Sequence, residues 1–128
     1  MITEDYVSFE TAKLLKEKGF DEKCTHFFKN ENYLVDMEYS NYHHVQNHEL
    51  IDEYTAPTLQ MAMKWLREVH HLEIYLEHDA IQENNNWWYQ IGKYTKGCIF
   101  ILHESHSDYP TYEGACETAI KYCLENII

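Results

Sequence analysis

The stretch PTLQMAMKWLREVHHLEIYLE, Pro57 to Glu77, changes its period part-way along. Leu59, Ala62, Met63, Leu66 and Val69 fall on one stripe of a helix, and Met61 with Trp65, one turn apart, widens that stripe on one side. From Leu72 the period drops to two. Leu72, Ile74 and Leu76 alternate with Glu73, Tyr75 and Glu77, as in a strand with one buried and one wet face. A helix that runs directly into a one-sided strand points to the α+β class, with helices packed on one side of a mainly antiparallel sheet.

The start of that helix has two echoes. Thr58-Leu59-Gln60-Met61-Ala62 matches Ser8-Phe9-Glu10-Thr11-Ala12 and Thr111-Tyr112-Glu113-Gly114-Ala115: a hydroxyl residue, a large apolar one, an acid or amide, any residue, alanine. A hydroxyl at the N-cap satisfies amides that have no partner in the first turn, so three helices are expected, Ser8 to Lys18, Thr58 to about His70, and Tyr112 to about Asn126. Between the first two, CTHFFKNENYLVDMEY reads as a hairpin around the turn-prone KNEN, and the polar, His-rich SNYHHVQNHELIDEYTA (40–56) as a long loop or a short irregular helix. After Glu77, WWYQIGKY (87–94) follows the turn-like ENNN. CIFIL (98–102) is a continuous apolar run, as expected of a strand covered on both faces. The expected order is α-β-β-α-β-β-β-α in a single domain of 128 residues, with an α-β-β half over 6–54 and an α-β-β-β-α half over 57–128.

Twenty-two Asp and Glu against 10 Lys and Arg give a formal net charge of -12. That field repels phosphate backbones and anionic membrane surfaces, so neither direct nucleic-acid binding nor membrane binding is expected. The second half has the element order of a double-stranded RNA-binding domain, but its last helix opens on Asp108, Glu113 and Glu117, the wrong charge for phosphate. Nine histidines tie the charge to pH: full protonation would move the net to -3. Four cysteines, at 24, 98, 116 and 123, form no Cys-x-x-Cys pair, and Cys116 and Cys123 share one helical face as small core residues. With no apolar run at MITEDYVSFE, no signal peptide is expected, and a cytoplasmic setting fits.

Two groups of residues are candidates for function. The first is apolar and aromatic: Met61 and Trp65 on the wide helix, with Tyr75, Trp88 and Tyr94 on the outward face of the sheet, a surface suited to a protein partner or a second copy of the chain. The second is polar. If residues 44–52 were helical, His44, His48 and Asp52 would stack at i, i+4 and i+8, a spacing that suits Zn²⁺, with His103 and His106 as further ligands if the loops meet. HELID (48–52) departs from the zinc-protease pattern at Asp52, where a second histidine is required. A solvated polar loop explains the same residues without a metal, and no catalytic residue and no cofactor is assigned.

EDYVSFETAKLLKEKGFDEKC, APTLQMAMKWLREVHHLEIYLE and YPTYEGACETAIKYCLENII, together about half the chain, resemble segments of a group of small proteins of gut anaerobic bacteria and their phages. The resemblance implies a phage or mobile-element accessory protein working inside a bacterial cell, and it carries no activity, cofactor or site residue. The function expected is that of a small acidic protein-interaction module, with a His-cluster metal- or small-ligand-binding protein, conceivably a hydrolase, as the alternative.

Overall fold

The computed structural model describes residues 1–81, 84, 86–105 and 108–128, with every side chain among them except that of Tyr39. It has three helices and two antiparallel three-stranded sheets, in the expected α+β order. The chain forms two compact units, Met1–Met61 and Ala62–Ile128.

In the first unit, α1 (Phe9–Glu17) is capped by Ser8, whose hydroxyl accepts from the Thr11 amide, and Gly19 with φ 95° ends the helical run. Strands β1 (His26–Asn30) and β2 (Tyr33–Asp36) form the expected hairpin. A two-residue strand, β3 (Tyr54–Thr55), adds to the other side of β1, which makes the order β2-β1-β3. Helix α1 packs over β1 and β3, with Phe9 set edge-on to Phe28 and Tyr54 at 5.6 and 5.5 Å. Phe20 and Leu15 are fully buried.

The segment expected as a polar loop is anchored more firmly than its composition suggests. Buried Asn47 donates through Nδ2 to the Phe20 carbonyl at 2.7 Å and accepts through Oδ1 from the Thr55 amide at 2.9 Å. Lys16 Nζ donates to the carbonyls of Leu50 and Glu53, both at 2.9 Å. A buried amide with both ends satisfied fixes the loop, and that is what lets Tyr54–Thr55 reach β1.

Helix α2 (Leu59–His70) starts on Thr58, whose hydroxyl accepts from the Met61 amide at 3.1 Å, and it ends at His71 with φ 57°. In the second unit β4 (Leu72–His78), β5 (Trp87–Thr95) and β6 (Cys98–Glu104) form an antiparallel meander, order β4-β5-β6. Register pairs Ile74 with Ile91 and Leu76 with Tyr89, which puts these four on one face. Helix α3 (Tyr112–Tyr122), capped by Thr111 through the Gly114 amide at 3.0 Å, lies on that face over β4 and β5. Ala115, Cys116, Ala119, Ile120 and Cys123 are buried beside Ile91 and Tyr89, the small residues letting the helix sit close to the sheet. The last turns, Cys123–Ile127, widen into a π-helix.

Candidate functional site

An α-helix is about 10 Å across and strands are spaced by about 4.8 Å, so one helix covers roughly two strands. Helix α3 takes β4 and β5, and β6 lies beyond it as an edge strand. The expectation that CIFIL is covered on both faces is therefore corrected. Ile99, Phe100, Ile101 and Leu102 are 56%, 58%, 48% and 47% exposed. Four consecutive large apolar side chains present both faces of an edge strand to solvent. A continuous apolar run signals burial, but nothing in a single chain's periodicity separates a strand covered by its own helices from one covered by something else.

On the face away from α3, register places Glu73, Tyr75 and Glu77 of β4 with Trp88, Gln90 and Gly92 of β5 and with Ile99 and Ile101 of β6. Gly92 is the floor of this face. A Cβ there would stand 3.0 Å from Ile99 Cγ2, 3.4 Å from Tyr75 Cε2 and 3.5 Å from Ile101 Cδ1, so the missing side chain lets these three close over the strand. Tyr75 and Trp88, both expected at an interface, are half-buried here. Tyr94 is also half-buried, but its hydroxyl donates to the Arg67 carbonyl at 2.7 Å and its ring meets His71 edge-on, so it ties α2 to the sheet. Trp65 is 6% exposed, its ring 4.7 Å from that of His70; the expectation that it meets a partner is corrected by this burial.

The other face holds an aromatic cluster at the far end of β6. The His103 ring stacks on Tyr122 at 3.7 Å and 4°, and Tyr89 Oη lies 3.3 Å from His103 Nε2. Burial, with Tyr109 and Tyr122 nearby, pushes the Tyr89 hydroxyl up to about 12. Burial likewise raises the thiols of Cys116 and Cys123 to about 12 and that of Cys24 to about 11, which keeps all three protonated and inert as nucleophiles at neutral pH.

Of the residues considered for Zn²⁺, His44, His48 and Asp52 are not grouped as ligands. Residues 44–52 form no continuous helix; a single 3₁₀ turn, Asn47–Glu49, occupies their middle. His48 turns to Asp21, Nδ1 to Oδ2 at 2.9 Å, and its amide donates to the same carboxylate, which lowers the Asp21 pKa. Asp52 sits at φ 58°, an exposed left-handed position. His103 is engaged by Tyr122, and His106 lies outside the described residues. Among the described residues no three His, Cys, Asp or Glu side chains are grouped to hold a metal ion.

His44 instead lines a cavity of about 280 Å³ in the first unit, with Tyr6, Lys23, Cys24, Thr25, Ala56, Pro57, Thr58 and Met61. Two antiparallel bridges build it, Tyr6 with Thr58 and Cys24 with Val45. Met61, 39% exposed, is thus part of a cavity wall, a role that its place on an amphipathic helix did not reveal. No known protein family, curated protein or solved structure matches the chain. Among the described residues no helix is long and apolar enough to cross a membrane.

Proposed function

We propose that this chain is a small acidic protein-interaction module that works as a homodimer, joined through antiparallel pairing of β6 with β6 of a second copy. The observation that carries the reading is the exposed edge strand whose side chains are apolar on both faces. Natural sheets guard their edges with charge, proline or a covering element; Cys98 to Leu102 contains no charge and no proline, and among the described residues its side chains stand exposed. The strand is also self-complementary. In a register centred on Phe100, Ile99 meets Ile101 of the partner subunit and Cys98 meets Leu102 of the partner subunit, twice by symmetry. Cys98 to Leu102 carries no charge, so a net charge of -12 need not oppose association at the contact itself. In the setting that the resemblance implies, the dimer would serve a phage or mobile element inside a bacterial cell.

The test is sedimentation equilibrium of the whole chain and of Ile99→Lys with Ile101→Lys. The wild type is expected to dimerise with a Kd on the order of 10 μM, as suits a small interface. Each substitution counts twice across a two-fold axis, so the double variant is expected to weaken dimerisation by at least about 100-fold with an unchanged far-UV spectrum. A wild type that stays monomeric at about 1 mM, some 100 times the expected Kd, would overturn the reading.

A further inference from the structure

We propose that the cavity between Tyr6, Cys24, His44 and Met61 binds a small carboxylate with a compact apolar body. This goes beyond the dimer reading and does not depend on it.

The cavity has two kinds of wall. Cys24, Ala56 and Pro57 are buried and form an apolar floor, while Lys23, Thr25, His44 and Met61 are exposed at the rim. A chain with 22 acids and 10 Lys and Arg places no Asp or Glu in this lining, and it places a lysine and a histidine there. Among the described residues neither Lys23 Nζ nor the His44 ring has a hydrogen bond or ion pair, so both are available to a ligand. Other polar groups of the lining are already used within the protein: Thr25 Oγ1 lies 2.8 Å from His26 Nδ1, and Thr58 Oγ1 accepts from the Met61 amide. What remains is one fixed cation, one imidazole, the Tyr6 hydroxyl and an apolar floor, in a volume just below the usual range for small-molecule sites.

That combination selects a single negative head with a body of roughly ten non-hydrogen atoms. The carboxylate pairs with Lys23 and accepts from His44, and the body displaces water from Ala56, Pro57 and Met61. A highly charged phosphate gains only half of this, because it has nothing to set on the floor. Cys24 contributes shape alone, since burial keeps its thiol protonated.

The test is an amide-resolved NMR titration of the full chain with benzoate, benzamide and inorganic phosphate. Benzoate is expected to give saturable shifts at Cys24, Thr25, His44 and Met61, and Lys23→Gln to weaken it about fivefold, with Lys23→Arg restoring most of the loss. Benzamide and phosphate are each expected to bind more weakly than benzoate. Absence of saturable shifts at these residues, equal binding of benzamide, or phosphate binding as tight as benzoate would overturn the proposal. Lys23 is exposed, so its replacement leaves the fold intact and the readout interpretable.

Discussion

Strands β4 and β6 are the two edges of one sheet, and they are built differently. β4 alternates: Leu72 and Ile74 are buried, Glu73 and Glu77 sit on the opposite face, and Arg67 reaches Glu73 at 3.6 Å. A carboxylate on every other turn of the pleat makes that edge costly to pair with another strand. β6 has no charge between Cys98 and Leu102, and among the described residues the side chains of Ile99 to Leu102 are exposed. Both strands contain enough apolar residues to belong to a core; what separates them is whether charge has been placed against further pairing. The contrast teaches that an uninterrupted apolar strand at an edge is better read as an unfilled contact than as interior.

The comparison can be broken first at the sheet's two faces. Ile91→Ala, under α3, is expected to cost about 2–5 kcal/mol in chemical denaturation, because it leaves a cavity in a packed layer. Ile101→Ala, measured in dilute monomer, is expected to cost less than about 1 kcal/mol, since the side chain is already half in water. Equal losses would mean that β6 is covered within its own chain. Next, Glu73→Val with Glu77→Val makes β4 resemble β6, and light scattering should then report about tenfold stronger self-association or outright aggregation.

The smallest expected effect concerns pH. Burial, then the charges of Lys93 and His71, lower the pKa of His70, whose Nε2 has no hydrogen-bond partner among the described residues. The unfolded chain therefore takes up this proton first, at about pH 6.5. Stability from this group is complete above that value and declines as the pH falls from it toward the lowered folded value. His70→Gln is expected to flatten the slope of denaturation midpoint against pH over that interval, and an unchanged slope would show that His70 stays neutral in neither state or both.

Much of the fold was legible because its signals are local. Each of the three matching helix openings has its hydroxyl bonded to the amide three residues on, at Thr11, Met61 and Gly114. The period-two pattern of 72–77 and the opposite facing of Trp87 and Trp88 follow from pleat geometry, and the register bears them out. The missing parts depend on distant partners. Asn47 is a buried clamp because Phe20 and Thr55 come to it, and nothing in QNHEL marks it apart from other polar residues. The strands also divide into two three-stranded sheets, β2-β1-β3 and β4-β5-β6. As for the candidate sites, Tyr75 and Trp88 do share the outward face with Ile99 and Ile101, whereas Trp65 is buried and His44 belongs to a cavity.

The central claim, that β6 is an edge kept for a second copy, is tested most directly by amide hydrogen exchange of the wild-type chain at protein concentrations well below and well above about 10 μM. The account predicts protection that rises with concentration over Cys98–Glu104 and stays constant over Leu72–His78. Protection of β6 that is independent of concentration, or a rise confined to β4, would contradict it.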